Sequence, residues 1–272
     1  MKNKINKTYL FIITMNNRRP IIISIEGNIG TGKSTVLNFI EQQFRKENNK
    51  NILFLKEPVD IWESITDESG QTVIQKFYGD QRRYAFMFQV MAYISRLTMI
   101  REAIRNNPNI EIIIVERSLN ADKNIFVQML HDDGKIDKME YEIYNRWYKE
   151  FIDDYHVDGV IYMDTSPEIC LERVNKRHRS GEEGIPLSYL QRCCEYHRKW
   201  FGDIPNKPKD SIVYHVWSDN YTMSLLHINS DADVSYDNDG DETAKMWYDN
   251  IKTFIGNVLM KHTQVKPGCV IC

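Results

Sequence analysis

Short runs of consecutive apolar residues recur along the chain, separated by longer stretches in which apolar positions fall three and four apart. The runs span Ile21 to Glu26, Asn51 to Leu55, Glu111 to Glu116, Gly159 to Asp164 and Leu225 to Asn229. Uninterrupted Val, Ile and Leu mark strands covered on both faces rather than one. Helical patterns lie between and beyond them, at Lys33 to Lys46, Gln81 to Ile104, Ala121 to Met129, Lys138 to Phe151, Pro167 to Arg177, Leu187 to Phe201 and Asp241 to Met260. This alternation predicts an α/β fold, a five-stranded parallel sheet flanked by helices. There is no internal repeat. The Gly- and Ser-bearing charged stretch Arg177 to Gly184, and the acid-rich stretch Asp231 to Asp241, read as mobile segments. Pro205 to Asp210 reads as a surface connection. None of these marks a domain boundary, so residues 20–261 are expected to form one domain, with an N-terminal extension over 1–19 and a tail over 262–272.

The 272 residues are 42% hydrophobic and 27% charged, enough to bury a full core. A formal charge of -3 and a pI near 6.2 give no bulk field for a polyanion, which argues against polymeric nucleic acid as a partner. The five cysteines, at 170, 193, 194, 269 and 272, make neither a paired zinc framework nor an evident disulfide set, which suits a reducing, cytoplasmic compartment. The opening MKNKINKTYLFIITMNN places lysines before a short apolar run but lacks a small-residue cleavage site, so it reads as an extension. No segment approaches the roughly 18 apolar residues of a membrane span. The terminal Cys269-Val-Ile-Cys272 has the outline of a prenylation box, but its final Cys and weakly basic approach favour an ordinary tail.

The chemistry begins at SIEGNIGTGKST, Ser24 to Thr35. Gly27-x-x-x-x-Gly32-Lys33-Ser34 has the spacing of a phosphate-binding loop, with a strand before it and a helix after it. Glycines let successive backbone N–H groups turn inward, and the helix starting near Lys33 adds its positive end. Residues Gly27, Asn28, Ile29, Gly30, Thr31, Gly32, Lys33, Ser34 and Thr35 are therefore assigned to a nucleoside triphosphate. Lys33 is expected on the outer phosphates and the Ser34 hydroxyl on Mg²⁺. No Asn-Lys-x-Asp box is present, which counts against a GTPase. No apolar strand ends in adjacent Asp-Glu, which counts against an ATP-hydrolysing motor.

In an open α/β sheet ligands sit beyond the carboxyl ends of the strands. Glu57 ends the second predicted strand and could accept a proton from a hydroxyl acceptor. Glu116 and Arg117 end the third, one placed to organise Mg²⁺ and the other to neutralise transferring phosphate or orient the acceptor. Arg173, Arg177 and Arg179 lead into the glycine-bearing stretch, where they could close as a lid. On the helix from Gln81, the residues Gln89, Ala92 and Arg96 form one stripe among Phe86, Phe88, Met91, Ile94 and Leu97. A polar stripe among apolar neighbours needs partners, and a planar base beside Gln89, with Arg96 paired to an acid such as Asp122, supplies them.

IEGNIGTGKST, EPVDIW, FMFQVMAYISRL, ERSLNADKNIF, DGVIYMDTSPEICLERV and EEGIPLSYL occur in this order between Ile21 and Phe201. Together they resemble the deoxynucleoside kinase family, nearest its deoxycytidine, deoxyguanosine and deoxyadenosine kinase branch. The resemblance implies a P-loop kinase fold with a lid, Mg²⁺, and ATP or another NTP as phosphate donor to the 5'-hydroxyl of a deoxynucleoside. It implies Glu57 as general base beside Arg117, Glu116 as the acid organising Mg²⁺, and Gln89 on the base edge. Arg96 and Asp122 would read the base, with Trp62 and Phe126 walling the pocket and Phe126 stacking on the base. Tyr78 and Glu182 would hold the sugar 3'-hydroxyl, and Arg173, Arg177 and Arg179 would be the lid arginines. Arg96 and Asp122 argue against thymidine, since the thymidine-accepting branch has a long apolar residue in place of the Arg. Relatives are commonly homodimers that bury two helices of each subunit. The chain departs from the pattern at Lys123, where relatives often carry Arg, and at the NSDAD stretch, Asn229 to Asp233, which lacks an aromatic near the donor base. Two other readings share some of these features: a thymidylate-type nucleoside monophosphate kinase, and a nucleotide-binding regulator without catalysis.

Overall fold

In the computed structural model the residues described are 19–179, 181–182, 184–202, 212–218, 221–236 and 241–264. The cysteines at 269 and 272, the connection at 205–210 and nearly all of the extension at 1–19 lie outside them. Strand β1 (Ile21–Gly27), sequence IIISIEG, is buried at every position, as its unbroken apolar start predicts. It pairs in parallel with β3 (Ile112–Glu116) and β4 (Gly159–Asp164). Beyond β3 lies β2 (Ile52–Leu55), and beyond β4 lies β6 (Tyr221–Asn229), again parallel. These are the five predicted parallel strands, the last of them longer than its apolar core at Leu225 to Asn229. A sixth strand, β5 (Ile212–Ser218), runs antiparallel along β6 and gives the order β2-β3-β1-β4-β6-β5. It mixes polar and apolar residues, so a search for continuous apolar runs passes over it.

The helices are α1 (Lys33–Lys46), α2 (Val59–Ser64), α3 (Val73–Gly79), α4 (Gln81–Asn106), a composite α5, α6 (Lys138–Tyr155), α7 (Pro167–Arg177), α8 (Leu187–Phe201) and α9 (Glu242–Gln264). The boundaries of α1, α7 and α8 fall on the predicted residues. Helices α2 and α3 were not predicted, because six or seven residues are too few to show a 3.6-residue period. Helix α5 corrects the expected regular helix from Ala121 to Met129: α-helical Leu119–Ala121 and Gln128–Asp132 flank a π-helical turn, Asp122–Val127. Such a widened turn is rare and concentrates at functional sites.

Alternation along β1 sorts the core. Ile21, Ile23 and Ile25 pack with Val36, Leu37 and Ile40 of α1 and with Ile251 and Phe254 of α9. On the other face Ile22, Ile113, Val115 and Val160 meet Ile125 and Met129 of α5 and Cys193 and Tyr196 of α8. Each buried aliphatic side chain contributes about 1.5–3 kcal/mol. Outside that second layer, α4 and α6 pack through Tyr93, Leu97, Tyr144, Tyr148 and Ile152. The parallel strands thus end together at one edge, with α4 and α5 rising beside it, and the predicted site residues follow β1, β2 and β3 at that edge.

Candidate active site

After β1 the chain turns through Gly27, Gly30 and Gly32, all at positive φ. A Cβ on Gly30 would collide with the carbonyl oxygen of Cys170, so the loop can lie against α7 only with glycine there. Lys33 Nζ is buried and donates to the carbonyls of Gly27 at 3.2 Å and Asn28 at 2.7 Å. Ile29 through Thr35 line a cavity of about 570 Å³, whereas Gly27 and Asn28 do not. Asn28 is instead a fastening: its Nδ2 donates to Leu190 O at 2.8 Å, and its Oδ1 accepts from Ile29 N at 2.8 Å. Ser34 Oγ donates to Glu116 Oε1 at 2.6 Å. A hydroxyl and a carboxylate side by side are hard oxygen donors of the kind Mg²⁺ takes.

Glu57, just past β2, receives two guanidinium groups on Oε1: Arg96 Nη2 at 2.6 Å and Arg117 Nε at 3.4 Å. Burial works to raise its pKa, but Arg96, Arg117 and Lys33 outweigh it and hold the carboxyl at about 2. Arg96 is 1% exposed and spends its other edge on Asp122, Nη1 to Oδ2 at 3.2 Å. Burial pushes Asp122 up to about 7, against the pull of Arg96 and Arg117, because the guanidinium it shares lies closer to Glu57. The stripe on α4 is therefore buried, as its neighbours required: Gln89, Ala92 and Arg96 are 2%, 3% and 1% exposed, and all three line the cavity.

Aromatic rings close the same end. Trp62 Nε1 donates to Ser95 Oγ at 2.9 Å, and its ring lies 5.4 Å from the Arg96 guanidinium. The Arg117 guanidinium lies 4.7 Å from the centre of Phe126. Phe88, not singled out in the sequence, is stacked on Phe77 at 4.7 Å and meets Trp62 edge-on at 5.6 Å. Tyr78 lines the wall beside Tyr189, and burial, with Glu182 adding to it, raises its phenol well above the ordinary range.

The predicted lid arginines take two places. Arg177 and Arg179 both pair with Glu182, the latter at 3.3 Å. Arg173 lies on the loop after β6, donating to the carbonyls of Ser230 at 3.0 Å, Asp231 at 3.3 Å and Ala232 at 3.1 Å and to Asp233 Oδ1 at 3.1 Å. Beyond that loop Tyr236 and Trp247 line the cavity, supplying aromatic surface that the NSDAD stretch lacks. Only their place on the surface of the folded cavity marks them out; neither stands in a motif. Among the described residues no three His, Cys, Asp or Glu side chains cluster as a metal site, and no helix is long and apolar enough to cross a membrane.

A phosphate loop, a carboxylate fixed between guanidiniums and a ring-walled pocket in one cavity define a P-loop phosphotransferase with a small planar acceptor. Residues 23–255 match the family model for deoxynucleoside kinases, and the chain belongs to that family. It is 36% identical over 214 residues to a probable deoxycytidine kinase of fowlpox virus, covering 78% of this chain and 79% of that one. It is 32% identical to human deoxycytidine kinase, over 65% and 74% of the two chains, and 29% identical to the mitochondrial deoxyguanosine kinase of Xenopus laevis, over 65% and 72%. The protein is a deoxynucleoside kinase, and its phosphate donor is a nucleotide.

Burial first, and Arg117 second, push Lys33 down to about 8 from an ordinary 10.5. Between those values the unfolded chain keeps a proton that the native chain has lost, so native stability contributed by this group rises with pH across that window. If Lys33 meets the phosphates as its place in the loop predicts, a bound polyphosphate should restore the charge. Tripolyphosphate binding should take up close to one proton at about pH 9 and almost none at about pH 7, measured by calorimetry in buffers of different ionisation enthalpy.

Proposed function

We propose that the protein transfers the γ-phosphate of ATP, or of another nucleoside triphosphate, to the 5'-hydroxyl of deoxycytidine or a purine deoxynucleoside. The observation that carries this reading is Glu57, part-buried and ionised between Arg96 and Arg117 in the cavity that the phosphate loop lines. Held at about 2, its carboxyl is ionised in every molecule at neutral pH and accepts the hydrogen bond of the 5'-hydroxyl. As the attacking oxygen bonds to the γ-phosphorus, the bond from that phosphorus to the β–γ bridging oxygen breaks, the nucleoside diphosphate leaves, and the proton of the attacking oxygen passes to Glu57. Lys33 carries charge to the outer phosphate oxygens, and Arg117, which meets Glu57 at 3.4 Å, neutralises the transferring phosphate or orients the acceptor. Ser34 and Glu116 would hold Mg²⁺, which when bound neutralises phosphate charge. Trp62, Phe126 and Gln89 receive the base, and Arg96 with Asp122 reads its edge. Tyr78 and Glu182 hold the sugar. Thymidine is the poorer acceptor in this reading, since the thymidine-accepting branch that the chain resembles less has a long apolar residue in place of Arg96.

Purified protein with Mg²⁺ and ATP, offered deoxycytidine, deoxyadenosine, deoxyguanosine, thymidine and thymidine monophosphate side by side, should phosphorylate the first three best. Transfer to the monophosphate alone would overturn the reading. Glu57→Gln should cut kcat by about a hundredfold or more while leaving triphosphate affinity nearly unchanged; near-normal turnover would remove Glu57 from the proton's path.

The outer faces of α4 and α6 support a homodimer. Met87 and Ile94, together with Met139, Ile143 and Trp147, leave large apolar side chains exposed, Met139 at 71% and Trp147 at 53%. Tyr93 Oη donates to Trp147 O at 3.3 Å, so the two helices present one surface. A second copy covers it in this reading. Trp147→Glu should convert a dimer to a monomer in sedimentation velocity, with the fold retained by circular dichroism. The free, buried thiols of Cys170, Cys193 and Cys194 support a reducing compartment, here the cytoplasm.

A further inference from the structure

Strand β1 ends in a carboxyl that neither the phosphates nor the acceptor requires. Glu26 is completely buried. Its neighbours Ile23 and Ile25 pack toward α1, so period-two alternation turns Glu26 to the opposite face, toward α5. There Oε1 accepts two hydrogen bonds from one residue, the Ser118 backbone N–H at 2.9 Å and the Ser118 hydroxyl at 2.6 Å. Ser118 Oγ in turn accepts from Ala121 N at 3.1 Å and caps the start of α5. The residue between the strand and this cap is Arg117, whose φ of 66° lies in the left-handed region. A side chain there costs on the order of 1 kcal/mol and persists only where the surroundings hold it. One hold is the Arg117 N–H, which donates to Ile25 O at 3.1 Å; the other is the pair of hydrogen bonds that Ser118 donates to Glu26.

We propose that Glu26 is a positioning residue for the acceptor half of the site. Its carboxyl clamps Ser118, and so fixes both the strained turn that aims Arg117 at Glu57 and the first turn of α5, which carries Asp122. The proposal rests on the reading that Glu57, Arg117 and Asp122 receive the nucleoside. Nothing in the clamp needs a negative charge. Oε2 makes no well-formed hydrogen bond, although the Ser24 hydroxyl lies near, and burial favours the neutral carboxyl by raising its pKa against the pull of Arg117 and of the Ser118 and Ser24 hydroxyls. A neutral carboxyl and a carboxamide offer the same carbonyl acceptor. Glutamine should therefore replace Glu26, whereas leucine, similar in bulk, leaves two buried donors of Ser118 unmatched.

The test compares Glu26→Gln, Glu26→Leu and Glu26→Asp with wild type by three readouts: kcat/KM for the best nucleoside, affinity for a non-hydrolysable ATP analogue with Mg²⁺, and exchange of the Ser118 amide hydrogen. Glu26→Gln should stay within about threefold of wild type throughout. Glu26→Leu should lose about thirtyfold in nucleoside kcat/KM and exchange the Ser118 amide faster, with ATP-analogue affinity within about threefold. Glu26→Asp, whose carboxyl is drawn back by one methylene, should show the same selective loss and serves if the leucine variant does not fold. Unchanged nucleoside kcat/KM in Leu and Asp variants overturns the proposal. So does a parallel fall in ATP-analogue affinity, or failure of Gln to substitute. Should wild type phosphorylate no nucleoside, the acceptor reading fails by itself, and Ser118 exchange alone then decides whether Glu26 holds the turn.

Discussion

A guanidinium with almost no exposure to solvent, that of Arg96, is divided between two carboxylates, 2.6 Å from Glu57 and 3.2 Å from Asp122. Arg96 is not tolerable without them, since an unmatched buried charge costs several kcal/mol and removal of a partner strands it. Three segments distant in sequence must therefore arrive together: the end of β2, the middle of α4 and the opening of α5. The sharing is unequal, and this separates the two acids. Glu57 takes the shorter contact, with Arg117 and Lys33 in support, and sits at about 2; Asp122, more deeply desolvated, sits at about 7. The two carboxyl groups in one cavity are thereby pushed in opposite directions, Glu57 toward the ionised form and Asp122 toward the neutral one.

What could be read in advance follows from where each signal resides. Strand β1 and helices α1, α7 and α8 were legible nearly to the residue, because pattern and local chemistry agree there. Unbroken Ile leads into β1, glycine and Lys33 mark the start of α1, and Pro167 occupies the first turn of α7. The stripe of Gln89, Ala92 and Arg96 was legible as a demand for partners, and the fold buries it. The π-helical turn at Asp122–Val127 was not legible, since nothing local distinguishes it from an α-helix. Tyr78 and Glu182 came only from the family resemblance, for they enter the cavity on separate segments with no shared spacing. Glu26 looked like one more strand position, and only the fold shows Ser118 against it.

Arg173 takes a partner that the sequence does not show. Its guanidinium holds three consecutive carbonyls, those of Ser230, Asp231 and Ala232, so α7 fixes the loop that follows β6. That loop leads to Tyr236, which meets Phe39 of α1 at 5.0 Å between ring centres. One arginine thus joins the helix entering the lid to the far wall of the cavity, and the wall is set by the same helix that presents Arg177.

The lid and the acceptor pocket are joined in a second way, through Glu182. Arg177 and Arg179 both end on this carboxylate, which is 8% exposed although it lies in a connecting segment. Gly181 beside it, at a φ of 90°, sits so close to α3 that a Cβ would lie 3.1 Å from side-chain atoms of Ile74 and Gln75. Helix α3 also carries Tyr78, whose phenol feels the Glu182 charge. Under the proposed roles, the acid that grips the sugar also holds the arginines destined for the phosphates. A deoxynucleoside that fills the site then fixes Glu182, and with it the lid, whereas water in the same place leaves Glu182 without a sugar to hold. Under the same roles, acceptor recognition and closure over the donor are coupled, which favours transfer to a nucleoside over hydrolysis.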